Sequence, residues 1–174
     1  MSDLTAIVQI LQTHEIEFAV IGAAAFAVHA RPRSTADLDL FSVDERCLTK
    51  QTWESLPFAD FELRHGDMTD PLAGVARFRP YEPDQIDVVV GHGAPWQRDA
   101  IRRAGVARVH GMSLPVVTAP DLILLKLYAG GNQDRWDIEE LLAIGDRAAL
   151  ITAVESFLPA LQRDARELWS RIRG

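Results

Sequence analysis

Cysteine is almost missing from this chain. Cys47 stands alone among 174 residues, which excludes an internal disulfide and any zinc site built on paired thiolates. No apolar run approaches the roughly 20 residues that cross a bilayer, and the N-terminus lacks the basic-then-apolar order of a secretory signal. Cytoplasmic residence with no membrane partner is therefore expected. The five histidines never fall at His-x-x-x-His spacing, so a histidine-built metal site is not expected either. Internal repeats and low-complexity segments are also lacking. Positive charge is in short supply: the net charge is −7, which argues against indiscriminate nucleic-acid binding. The deficit is local. Residues 1–87 hold fifteen Asp/Glu against seven Lys/Arg, whereas residues 88–174 hold ten against eleven.

What is present is enough apolar side chain, 48% of residues, to bury the core of a single domain. The acidic half contains the most informative stretch, residues 18–41. Phe18 to Ile21 is a short apolar run with the length of a buried strand, and it stops at Gly22. Ala23 to Ala30 is small and helix-prone, so the chain is expected to turn at Gly22 straight into a helix. Free backbone N–H groups would then face outward beside a residue without a side chain, where a phosphate can approach closely. Pro32 ends that helix, and 36–41 alternates as a strand. Side chains on a strand repeat every two residues, which puts Asp37 and Asp39 on one face and Leu38 and Leu40 on the other. Two neighbouring carboxylates repel unless they are solvated or share a divalent cation.

Further along, the spacing predicts a helix over 4–11, with Ser2 or Asp3 as its cap, and another over 43–56 with Leu48 and Trp53 in the core. Strands are expected at 58–64, 74–79 and 85–90. Asp87 lies in the middle of the last, where an unpaired carboxylate would be costly. It either completes an acidic site or points to solvent. A short helix over 95–104 carries Arg98, Arg102 and Arg103, and a hairpin turns at Gly111. Thr118 caps a helix over 122–129 whose only charged residue, Lys126, must reach solvent or an anion. Helices over 132–144, with Asp134 and Asp137 on one face, and then over 147–157 and 159–172 complete the chain.

A glycine-opened turn into a helix followed by Asp-x-Asp on a strand resembles the nucleotidyltransferase superfamily, with its polymerase-beta-like fold. The order Pro-Arg-x-Thr-x-Asp-x-Asp, with Arg33, Thr35, Asp37 and Asp39, is similar to the small bacterial AbiEii-type proteins of abortive-infection and toxin–antitoxin systems. Asp-Leu-x-x-x-Lys-x-x-Ala ending at Ala129, followed by Asp134 and Asp137, resembles their second half. The likeness covers residues 18–142. Two positions depart from the pattern. Gly22-Ala23 replaces Gly-Gly or Gly-Ser, so no hydroxyl is offered there, and Asn132 and Gln133 stand where a basic residue is usual.

The resemblance implies an α+β fold with a mixed sheet, its core at 1–118 and a helical C-terminal portion at 119–174 packed on it. It implies Mg²⁺ or Mn²⁺ held by Asp37, Asp39 and Asp87, with Asp87 also drawing the acceptor's proton. It implies a nucleoside triphosphate bound by Gly22, Ala23, Arg33, Thr35, Lys126 and Asp134, with Lys126 or Arg33 neutralising the departing pyrophosphate. The reaction would transfer a nucleoside monophosphate to a hydroxyl of RNA (a tRNA 3′ end included), protein or a small molecule, as a toxin with a cognate antitoxin in one version. The alternative is a protein of the same fold without transfer activity, serving as a nucleotide- or partner-binding, antitoxin-like module.

Overall fold

The computed structural model describes residues 3–31, 37–56, 60–81, 84–130 and 132–174. Arg33 and Thr35, expected at the nucleotide, lie outside the described residues, as do Ser2 and Pro32. Among the described residues, seven strands form one mixed sheet: β1 (Ala19–Ile21), β2 (Leu38–Ser42), β3 (Phe61–His65), β4 (Gly74–Tyr81), β5 (Asp84–Val90), β6 (Gly105–Val109) and β7 (Met112–Val116). Their spatial order is β3-β4-β5-β2-β1-β7-β6. The pairs β2/β5 and β1/β7 are parallel and the other neighbours antiparallel. The helices are α1 (Asp3–Thr13), α2 (Gly22–His29), α3 (Pro95–Arg102), α4 (Ala119–Ala129), α5 (Asn132–Ile144), α6 (Arg147–Phe157) and α7 (Arg163–Arg173). This is the mixed α+β architecture expected from the sequence.

Alternation along the central strands gives the sheet two unlike faces. Leu38 and Leu40 of β2, Ile86 and Val88 of β5, and Ala76 and Phe78 of β4 are buried on one face. Trp53 packs edge-on against Phe78 there, with ring centroids 4.7 Å apart. The opposite face carries Ile21, Asp39, Phe41, Asp87, Val89, Val75 and Arg77, so apolar and charged positions meet on it.

Two expected helices differ. Residues 43–56 form no α-helix but two 3₁₀ turns, Glu45–Leu48 and Lys50–Trp53, separated by Thr49 in extended backbone. The Thr49 and Thr52 hydroxyls both donate to the Arg46 carbonyl, which competes with regular helical bonding. Leu48 and Trp53 still reach the core. Pro159 does not open the last helix. It sits in a 3₁₀ turn, Leu158–Ala160, and α7 starts at Arg163 after Leu161 in extended backbone. Cys47 is fully buried, and that burial pushes its thiol up to about 12, so it packs as a small hydrophobe.

Candidate active site

The site begins at the junction of β1 and α2. Gly22 has φ +64, a left-handed conformation that side-chain-bearing residues adopt only under strain. A Cβ added there would lie 2.2 Å from Asp39 Oδ2, so glycine is required both by the backbone and by the neighbouring carboxylate. The helix that follows has neither a side-chain cap nor an acidic residue in its first turn. Its N-terminal amides, Ala23 among them, thus keep the positive end of the helix for an outside anion. At the other end, His29 Nε2–H donates to the Val117 carbonyl at 2.6 Å, tying α2 to the end of β7. That contact gives His29 a structural job.

Asp39 on β2 stands directly beside Asp87 on β5, because the two parallel strands pair in that register. Asp37 lies one residue before β2 and is exposed. Burial, then the negative charges of Asp87 and Asp37, push Asp39 up to about 6, with Lys126 and Arg77 pulling the other way. The Asp37–Asp39 pair and Asp87, distant from it in sequence, therefore meet electrostatically at Asp39.

Arg77 is the residue of this group that sequence reasoning missed. It lies on β4 opposite Asp87, and its guanidinium grips that carboxylate with Nε–Oδ1 at 3.0 Å and Nη2–Oδ2 at 2.8 Å. Gln85 Nε2 adds a donor to Oδ2 at 3.2 Å. Asp87 neither points to solvent nor stands unpaired. The signal was available in principle, since Arg77 is one of two arginines in a strand with an apolar alternate face, but only the β4/β5 register names its partner. Breaking a buried ion pair leaves a costly orphan charge. Arg77→Met is expected to destabilise the protein by about 3 kcal/mol, and adding Asp87→Asn to it should recover most of that loss in urea unfolding.

Lys126 of α4 is buried and donates to Asp134 Oδ1 at 3.1 Å and to Asp137 Oδ2 at 2.6 Å, both on α5. The lysine in the apolar wall finds its anions on the next helix, yet remains close enough to act on Asp39. The arginines of α3 and of its C-terminal cap, Arg103, do not gather at the acidic group. Arg103 pairs with buried Asp121 at 2.6 Å and lies 4.3 Å over the Phe157 ring, Arg98 donates to the Gly93 carbonyl, and Arg102 faces Asp99. Of the four tryptophans, Trp53, Trp96 and Trp169 are buried and Trp136 is exposed.

Among the described residues, no group of three His, Cys, Asp or Glu is close enough together to cage a metal by itself. The donor set nevertheless fits a hard divalent cation of the Mg²⁺ kind. Such ions take one or two carboxylates and complete their octahedron with substrate phosphates and water. The repulsion of Asp39 by Asp87 and Asp37 is what such a cation would relieve.

No family model matches the sequence, and no curated protein sequence matches it. Solved structures do. An antigenic nucleotidyltransferase-like protein from Paracoccidioides brasiliensis superposes with a TM-score of 0.52 at 19% identity, covering 97% of this chain and 89% of that one. The ANT(2″)-Ia complex with adenylyl-2″-tobramycin gives 0.56 at 10% identity, over 90% and 95%. The lincomycin-bound lincosamide adenylyltransferase LnuA gives 0.50 at 13%, over 82% and 96%. The fold of this chain is the nucleotidyltransferase fold.

Proposed function

We propose that this protein is a metal-dependent nucleotidyltransferase that moves a nucleoside monophosphate from a triphosphate to a hydroxyl acceptor. The carrying observation is the placement of Asp39 against both Gly22 and Asp87, at the uncapped start of α2. Asp37 and Asp39 would hold the divalent cation, with Asp87 beside them keeping on Oδ1 the one lone pair that Arg77 and Gln85 leave for the acceptor's proton. When bound, that ion supplies charge neutralisation at the α-phosphate and the leaving oxygens. The amides after Gly22 bind the triphosphate, and Lys126 offsets negative charge gathering on pyrophosphate. Asp87 takes the proton from the attacking hydroxyl. The acceptor oxygen bonds to the α-phosphorus while the bond to pyrophosphate breaks.

The Pro-Arg-x-Thr-x-Asp-x-Asp resemblance supports a toxin-type role for this transfer. Adenylyl transfer to antibiotics by two structural neighbours supports a small-molecule acceptor. The second reading is a nucleotide- or partner-binding module, and two features favour it: Arg77 already occupies Asp87, and Ala23 brings no hydroxyl to the phosphates. One incubation separates the two. Each of the four triphosphates, labelled at the α-phosphate, is supplied with Mg²⁺ or Mn²⁺ and with cellular RNA, protein or small-molecule extract. Label on an acceptor supports transfer; retention of the unreacted nucleotide alone supports the module. Ala23→Ser, which restores a hydroxyl beside the phosphate cradle, is expected to tighten triphosphate binding roughly fivefold by calorimetry, the worth of about one hydrogen bond.

A further inference from the structure

The face of the sheet that carries the acidic group also forms one wall of a cavity of about 430 Å³. Phe41 and Val89, which line it, follow Asp39 and Asp87 by two residues on the same two strands. Two strand residues span about 7 Å, so the cavity opens one side-chain repeat from the carboxylates. Ile21, directly across from Asp39, lines it as well, with Val75 of β4, Leu72 of the preceding loop and Leu125 of α4. Of the polar side chains at its edge three are engaged, and His65 and Tyr128 line it as well. Gln97 Oε1 accepts from the Ala94 amide, Asp70 Oδ2 accepts from the Asp67 amide, and Arg64 pairs with Glu62.

Such walls cannot repay the desolvation of an ammonium or a phosphate. They suit a compact apolar body, and the volume lies within the range of small-molecule sites. A purine or pyrimidine presents more ring nitrogens and exocyclic groups than His65 and Tyr128 could pair, whereas an alcohol or phenol needs only its hydroxyl to reach the carboxylates. We propose that this cavity seats the acceptor, and that the acceptor is a small, uncharged, largely apolar alcohol or phenol. This rests on the nucleotidyl-transfer reading and narrows its acceptor, away from RNA and from polycationic aminoglycosides. In the step it implies, the acceptor oxygen forms the new bond to the α-phosphorus, pyrophosphate departs, and the hydroxyl proton passes to Asp87.

The test uses 2-naphthol, a fluorescent phenol, titrated into the full chain with and without Mg²⁺ and a non-hydrolysable triphosphate. Saturable binding that persists or strengthens with the nucleotide present is the expected result. Val75→Phe, which fills the cavity, should weaken naphthol at least tenfold while leaving nucleotide binding unchanged. Leu72→Trp, in the loop, repeats the test should the strand variant fold poorly. Asp39→Asn should abolish nucleotide binding and spare naphthol. Mutual exclusion of naphthol and nucleotide would make the cavity the seat of the base and overturn the acceptor assignment. Nucleotide binding without naphthol binding, or displacement of naphthol by tobramycin, also overturns it while the transfer reading stands. Naphthol binding without any nucleotide binding removes the transfer reading and the acceptor assignment with it.

Discussion

Asp39→Asn should abolish triphosphate binding and at the same time make the protein more stable. Its carboxylate is held at about 6, against 3.8 ordinarily, by burial and by Asp87 and Asp37. A group whose native pKa lies above its unfolded one binds protons more readily when folded. Its ionisation therefore penalises the fold at pH above about 6, and the penalty is relieved as pH falls from there toward 4. One pKa unit is worth about 1.4 kcal/mol, so removing the charge should raise stability by on the order of 1–3 kcal/mol at pH 7.5. In a chain of this length that is roughly 3–10 °C in Tm. Three readouts check the claim by scanning calorimetry. The wild-type Tm, after subtraction of the Asn variant's, should climb as pH drops from 7 to 5. Mg²⁺ with a triphosphate should stabilise the wild type by mass action and leave Asp39→Asn unmoved. A variant no more stable than wild type at pH 7.5 would remove the case for charge crowding at Asp39. Metal-independent nucleotide binding that survives the substitution would falsify the assignment of the site.

Gly22→Ala should damage the fold and triphosphate binding together. The backbone at φ +64 disfavours any Cβ by about 1 kcal/mol, and this one would sit 2.2 Å from Asp39 Oδ2. No flexible side-chain tip can yield there without displacing the carboxylate itself. The expected result is a loss of about 2 kcal/mol or more in urea unfolding together with loss of triphosphate binding. A Gly22→Ala protein with wild-type nucleotide affinity would show that Asp39 and the start of α2 need not touch. Gly130 is an informative comparison. Its φ is +72, but a Cβ there meets nothing within 4 Å, so Gly130→Ala should carry only the backbone penalty.

Much of the architecture could be read before any coordinates. The strand–glycine–helix unit at 18–30, the Asp-bearing strand, the meander into β5 and the Thr118-capped helix all follow from local spacing and turn chemistry. Each of those signals spans only a few residues. Where two local preferences were nearly balanced, the reading went astray. Hydroxyls at Thr49 and Thr52 diverted 43–56 into 3₁₀ turns, and the chain past Pro159 delayed α7 by four residues. The fate of Asp87 belonged to a different class of question. Alternation places it on a face, but only strand order decides who stands opposite, and the answer was Arg77 on one side and Asp39 on the other.

Sequence by itself determined which residues carry charge, which must be small and where the chain can turn: a glycine before a small-residue helix, an Asp-x-Asp strand, a lysine stranded among leucines. Tertiary structure alone decided the company they keep. Pairing of β2 with β5 and of β4 with β5 brought residues 39, 77 and 87 together, α5 supplied the anions for Lys126, and the same sheet face ran on from the carboxylates into an apolar cavity. The reason is one of range. Turn and helix preferences act over a few neighbouring residues, whereas charge pairing and cavity shape depend on contacts between strands and helices tens of residues apart, which are fixed only when the sheet closes on its core.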